Sequence, residues 1–170
     1  IEDQGWKEEI GEQEHHILMN GTQIVARQRE GRRTKHTTGQ LDSVTGGQMN
    51  SYVITTADGK IIVVDGGYTE DALNLLAYLK EVTGQTVPRV DAWLLTHAHG
   101  DHICAFNEIV DKYPDALELG KVYYDFPSAQ YCMREPGYGG AILHFNALLP
   151  RFADKAETVY TGDEYDVGEA

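Results

Sequence analysis

The run Val90-Asp91-Ala92-Trp93-Leu94-Leu95-Thr96-His97-Ala98-His99-Gly100-Asp101-His102 holds the densest chemical pattern in the chain. Its first half is almost continuously apolar, as in a strand buried on both faces. Its second half puts three histidines and one aspartate within six residues. His97 and His99, two apart at the end of an extended segment, send their side chains to the same side and can chelate one metal ion. Gly100 lets the chain turn, and Asp101-His102 open a helix facing back toward the strand end, where a second ion can be held. Imidazole nitrogens plus a carboxylate form a zinc-type donor set, whereas a calcium site would be all oxygen. Two adjacent divalent ions bring a shared water toward neutral pKa and polarise the bond it attacks. The carboxyl end of a strand leading into a helix is also where α/β folds hold ligands. The bland alternative is four individually hydrogen-bonded side chains, and their clustering argues against it.

On the amino-terminal side, Val53-Ile54 and Ile61-Ile62-Val63-Val64 flank Ala57-Asp58-Gly59, which predicts a β-hairpin ending at Gly66-Gly67. Thr69 is expected to cap a helix reaching about Val82, with Leu73, Leu76, Ala77 and Leu79 on its inner face and Gly84 as its stop. The helix opened by Asp101 should end before Pro114 and bury Ile103, Phe106, Ile109 and Val110. Val122-Tyr123-Tyr124 reads as a strand, 126–140 as a loop, Ala141–Ala153 as a helix and Thr158-Val159-Tyr160 as a last strand. This alternation defines an α/β layer on a preceding hairpin. Near the amino terminus, Asn20-Gly21 marks a tight turn before Ile24-Val25. The expected division is a polar arm with a short hairpin over 1–40 and one domain over 41–170.

Composition narrows the function. The 170 residues suit one domain with a real core, and 41% of them are hydrophobic. No apolar stretch is long enough to span a membrane. A formal charge of −13 disfavours broad binding to nucleic acid or anionic membrane and favours a small-molecule substrate. Arg27, Arg29, Arg32, Arg33 and Lys35 form a local exception, read as a solvated hairpin tip rather than a phosphate-contacting arm. Cys104 and Cys132 do not make a disulfide framework, which leans toward the cytoplasm. The chain starts at Ile1 without a methionine, so a processed or cropped start is expected and export stays open.

The His97–His102 run and its flanks, Asn50-Ser51-Tyr52-Val53-Ile54, Ile61-Ile62-Val63-Val64-Asp65-Gly66-Gly67 and Trp93-Leu94-Leu95-Thr96, resemble the metallo-β-lactamase superfamily over about residues 40–125. Within it they are most similar to the hydrolase-like branch that includes competence-protein-type domains. The resemblance implies an αββα sandwich, represented here by its amino-terminal αβ half plus adjoining elements. It implies that His97 and His99 bind one zinc, and Asp101 and His102 a second. Asp101 would also orient the water activated between them, which makes it the catalytic residue. Asp65 would buttress the ligating histidines, as such ligands require; an ordinary strand-end turn aspartate is its alternative.

The superfamily's remaining ligands are a third histidine, a bridging aspartate and a last histidine, the last normally far downstream. The chain is therefore expected to be carboxy-terminally incomplete, with zinc at two sites, one or none. His144 and Asp163 are the late candidates; His144 reads as helix, and Asp163 as a turn leading into another strand. His15 and His16 belong to the polar arm or a strand, and Cys104 to packing.

The resulting expectation is a zinc-dependent hydrolase of an ester, lactone, thioester, amide or phosphodiester. Its specificity would lie in loops 42–49 and 126–140, where Tyr131, Met133 and Tyr138 could line a pocket. The rival is a noncatalytic metal-binding or interaction domain, or an inactive fragment. A half-sandwich would expose an apolar face, so association into a homodimer through that face is also expected.

Overall fold

The computed structural model describes residues 14–19, 22–27, 37–44, 46, 50–134 and 139–167, and only the backbone for 14–19, 22–27, 37 and 38. Its elements are β1 (Glu14–Met19), β2 (Thr22–Arg27), β3 (Thr37–Gln40), β4 (Ser51–Thr55), β5 (Ile61–Asp65), α1 (Ala72–Thr83), β6 (Arg89–Leu95), α2 (Gly100–Lys112), β7 (Glu118–Tyr124), α3 (Ala129–Cys132), α4 (Gly139–Leu148), β8 (Ala156–Thr158) and β9 (Glu164–Asp166). A six-stranded sheet runs β3-β4-β5-β6-β7-β8, and a three-stranded sheet runs β1-β2-β9.

Strands β3, β4 and β5 pair antiparallel, whereas β5 through β8 pair parallel. Each parallel step needs a crossover, which α1, α2 and the α3–α4 segment supply. The β4–β5 hairpin closes at Ala57-Asp58-Gly59 with Gly59 at φ 85, a left-handed position that glycine adopts without strain.

The helices cover one face of the large sheet. Trp93 and Leu95 from β6 and Val63 from β5 meet Leu75 and Leu79 from α1 and Ile103, Phe106 and Ile109 from α2, all essentially without exposure. Phe106 stands edge-on to Trp93 at 5.0 Å and to Phe152 at 5.4 Å, and Phe145 joins them from α4. Edge-to-face geometry places the positive ring edge on the negative face of its neighbour, which adds to simple burial. Asn107 of α2 donates from Nδ2 to the Ala141 carbonyl of α4 at 3.0 Å, fixing the two helices to each other.

The other face of the sheet is covered too. Ile62, Ala92, Leu94 and Val159 have no exposure, and Tyr165 and Val167 from the β9 end pack on them, with Tyr165 and Tyr123 ring centroids 4.6 Å apart. On this side β9 also pairs parallel with β2.

Several local expectations are corrected. Thr69 does not cap α1; it begins a single 3₁₀ turn over Thr69–Asp71. The buried Asp71 carboxylate does the anchoring, accepting Tyr68 N at 2.9 Å, Val44 N at 2.8 Å and the Ser43 hydroxyl at 3.1 Å. The inner face of α1 is Ala72, Leu75, Leu76 and Leu79, with Leu73 and Ala77 exposed. Helix α4 stops at Leu148, and Pro150, which cannot donate the next helical hydrogen bond, sits in a 3₁₀ turn. The last strand of the large sheet is Ala156–Thr158 rather than 158–160, and the 126–140 loop contains α3. The Asn20-Gly21 turn, the basic run beyond Arg27, and Tyr138 lie outside the described residues. No helix among the described residues is long and apolar enough to cross a membrane.

Candidate functional site

The site is built at the carboxyl edge of β5 and β6. Strand β6 ends at Leu95, and Thr96–His99 run on to α2, whose extended N-cap residue is His99 (φ −74, ψ 153). The His99 carbonyl accepts the first amides of the helix, from His102 and Ile103, both at 3.1 Å. Gly100 is thus the first helical residue, and Asp101 lies in the first turn, where the helix dipole favours a carboxylate.

Next to it lies the turn after β5. Asp65 is the one non-glycine residue at positive φ (56) among those described. Aspartate tolerates that region better than most residues, and the twist turns its side chain toward β6. Gly66 lets the turn lie flat on α2: a Cβ there would meet Ala105 Cβ at 3.3 Å and Phe106 N at 3.4 Å. Gly67 then exchanges hydrogen bonds with α2, its amide to the His102 carbonyl at 3.3 Å and its carbonyl from Ala105 N at 2.9 Å.

Asp65 is almost fully buried, and its carboxylate gathers the site. It accepts Thr96 N at 2.8 Å, the Thr96 hydroxyl at 2.8 Å and His102 Nδ1 at 2.7 Å. Its backbone carbonyl accepts Trp93 Nε1 at 2.8 Å. The His97 ring lies 3.8 Å from that of His102 and 4.8 Å from that of His99, centroid to centroid. His97 Nε2 faces His99 Nδ1 at 3.0 Å, and His102 Nε2 lies 3.6 Å from Asp101 Oδ2. Burial, then the neighbouring imidazoles of His102 and His99, hold His97 below the usual histidine range, against a weaker opposing pull from Asp65 and Asp101.

His97, His99, Asp101, His102 and Asp65 are therefore brought together. His144 is not: it stands on the outer side of α4, its Nε2 3.6 Å from Asp111 Oδ2. Asp111 is ten residues along α2 from Asp101, about 15 Å at the helical rise. Asp163 is committed to the turn between β8 and β9, where Oδ2 accepts Tyr160 N at 2.9 Å and the Tyr165 hydroxyl at 3.2 Å. Cys104 is half-buried, and desolvation raises its thiol pKa, which suits packing rather than ligation. Tyr131 and Met133 are exposed. His15 and His16 lie on β1, described here by its backbone alone. A cleft of about 500 Å³ opens at the opposite, amino edge of β6 and β7, between Tyr113, Leu117, Arg151 and Lys155.

Two contributors escaped the sequence reading. One is the Thr96 hydroxyl, the other Trp93 Nε1. Thr96 carried a signal, a hydroxyl-bearing residue directly before the first histidine; Trp93 carried none beyond being an apolar strand residue.

As a test of metal fit, the donor chemistry and pair spacing agree with a zinc-type ion. Two nitrogens on a tetrahedral zinc stand about 3.3 Å apart, close to the 3.0 Å between His97 Nε2 and His99 Nδ1. Among the described residues, however, no group of three or more His, Cys, Asp or Glu side chains is arranged to hold an ion. The histidines face each other in pairs rather than converging on one point.

Residues 44–169 match the family model of the metallo-beta-lactamase superfamily. The chain belongs to that superfamily. It is similar to a protein of Thermodesulfovibrio yellowstonii described as a UPF0173 metal-dependent hydrolase, 36% identical over 106 residues that cover 57% of this chain and 38% of that protein. It is also similar to an atrochrysone carboxyl ACP thioesterase of Passalora fulva, 38% identical over 66 residues that cover 39% of this chain and 19% of that protein. The chain spans less than two fifths of the length of either relative.

Proposed function

We propose that this chain carries part of the metal site of a zinc-dependent hydrolase that acts on a small-molecule ester, thioester, lactone, amide or phosphodiester. The observation that carries the reading is the Asp65 carboxylate, bonded to both Thr96 and His102 with the rings of His97 and His99 alongside. Superfamily membership and the two hydrolytic relatives support it.

His97, His99, Asp101 and His102 would hold the metal. When bound, such an ion lowers the pKa of a coordinated water toward neutrality and polarises the bond under attack. The residues of this chain do the rest. Asp65 accepts a hydrogen bond from His102 Nδ1–H, which leaves the Nε2 lone pair turned toward Asp101. Burial keeps the His97 ring neutral and able to donate an electron pair. Asp101, at the helix amino terminus, is placed to orient a reacting water as an acceptor. Both cysteines are free, which supports a reducing compartment, and the net charge supports a small-molecule partner over nucleic acid.

A second reading, a metal-binding domain without catalysis, is favoured by one observation: no three-donor group is arranged among the described residues. Zinc content per chain and turnover of chromogenic ester, thioester and phosphodiester substrates separate the two. Turnover lost in His97→Ala supports the hydrolase. Bound zinc without turnover of any substrate supports the second reading, and no zinc at saturation rejects both.

A further inference from the structure

A hydroxyl has one proton and two lone pairs, and the surroundings of Thr96 Oγ1 decide how they are used. Oγ1 lies 2.8 Å from Asp65 Oδ2, 3.0 Å from Asp65 Oδ1, 3.0 Å from His97 Nδ1 and, more distantly, 3.4 Å from His102 Nδ1. The Asp65 carboxylate already accepts the Thr96 amide and His102 Nδ1, and toward the hydroxyl it again accepts. The hydroxyl proton therefore goes to Asp65, and lone pairs of Oγ1 face His97. A lone pair bonds His97 Nδ1 only when that nitrogen carries the proton.

We propose that Thr96 is a positioning residue whose hydroxyl relays the demand of Asp65 to His97, fixing His97 as the Nδ1–H tautomer with the Nε2 lone pair turned toward His99. The same carboxylate fixes His102 directly, through Nδ1 at 2.7 Å. One buried acid thus sets two histidines, one by contact and one through a hydroxyl. In water a neutral imidazole prefers the proton on Nε2, so without the relay His97 would protonate the nitrogen that now faces His99. The tautomer stands on hydrogen-bond geometry alone; its consequence for zinc rests on the reading of this cluster as a metal site.

The test uses the full chain, metal-free and ¹⁵N-labelled, with long-range ¹H–¹⁵N spectra of the imidazoles. His97 should carry its proton on Nδ1 in the unmodified protein and in Thr96→Ser, which keeps the hydroxyl. In Thr96→Val the His97 proton should move to Nε2 while His102 stays Nδ1–H, because its short bond, 2.7 Å to Asp65, does not pass through Thr96 and its contact with the Thr96 hydroxyl is the longer one at 3.4 Å. Added zinc should bind Thr96→Val about 10- to 100-fold more weakly, the usual penalty for removing a group that orients a ligand, and Thr96→Ser as well as the unmodified chain. A His97 proton on Nε2 in the unmodified chain or in Thr96→Ser overturns the relay, as does an unchanged His97 tautomer in Thr96→Val. If Thr96→Val also loses the His102 signature, the valine has disrupted the fold, and the tautomers of the unmodified chain and Thr96→Ser decide alone. Failure of every form to bind zinc would reject the metal reading while the tautomer pattern still decides the relay.

Discussion

Asp65 and His102, thirty-seven positions apart in the chain, meet through a 2.7 Å hydrogen bond between a carboxylate oxygen and Nδ1, both groups nearly excluded from solvent. The contact ties the end of β5 to the first turn of α2, so the fold and the candidate site depend on the same side chain. Asp65→Ala would remove the acceptor of the Thr96 amide and the near acceptor of the buried His102 Nδ1, which would keep only the 3.4 Å contact to Thr96 Oγ1, a loss of about 1–3 kcal/mol. Denaturant titration of the metal-free chain should show a clear fall in midpoint with an unchanged slope. An unaltered midpoint would mean that water replaces the carboxylate and that the residue is not structural.

Trp93 acts on the same turn from below. Its Nε1 donates to the Asp65 carbonyl at 2.8 Å while its ring is packed edge-on against Phe106. Trp93→Phe removes the donor and part of the volume, and large-to-smaller core changes with a lost hydrogen bond are expected to destabilise by about 2–4 kcal/mol. Thermal unfolding followed by circular dichroism reads this; a loss no larger than that of a surface substitution would show that the indole bond contributes nothing.

Two glycines should behave differently. A Cβ at Gly120 would sit 2.4 Å from the Asp91 carbonyl oxygen and 2.7 Å from that of Val90, backbone atoms of the neighbouring strand that cannot step aside. At Gly39 the nearest atom, the Tyr78 hydroxyl, is the tip of a side chain that can rotate away. Gly120→Ala is therefore expected to destabilise by about 1–3 kcal/mol and Gly39→Ala by less. Equal losses in chemical denaturation would contradict the distinction.

Acid should loosen the site before it loosens the core. His97 is held below its ordinary value of 6.5 by burial and its histidine neighbours. Between that lowered value and 6.5 the unfolded chain binds a proton that the folded chain refuses, so stability rises with pH across this window and falls as pH drops through it. Above 6.5 the penalty is absent. Denaturation midpoints measured from pH 7.5 down to 5 should decline, and His97→Gln, which has no ring to protonate, should flatten that decline. A decline identical in both forms would place the sensitivity elsewhere.

How much of this was legible in the sequence follows from distance along the chain. The His97–His102 cluster is local, and so is the Asp65-Gly66-Gly67 turn, and both were readable because their residue types and spacing carry the chemistry. The parallel β5–β8 order was implied by alternation of strands and helices. The Trp93 Nε1 bond to Asp65 and the Thr96 hydroxyl bond to its carboxylate span 28 and 31 positions, and no periodicity announces them. Strand β9 is three residues long with one inward side chain, too short to alternate visibly, yet its Tyr165, with Val167, packs on the second face of the large sheet. Leu73 was misjudged because a leucine one position off the inner stripe of a helix looks like a member of it. His144 was a candidate on residue type and on its distance along the chain from His99; its Nε2 lies 3.6 Å from Asp111 Oδ2.

The central claim, that His97, His99, Asp101 and His102 form metal-binding positions supported by Asp65, is tested most directly by the zinc content of the chain. Equilibrium dialysis against zinc, read by elemental analysis, should find zinc bound in stoichiometric amount to the unmodified chain, and none or a weakly held trace after the joint substitution of His97 and His102 by alanine. No bound zinc in the unmodified chain at saturation, or equal zinc in the doubly substituted chain, would contradict the account.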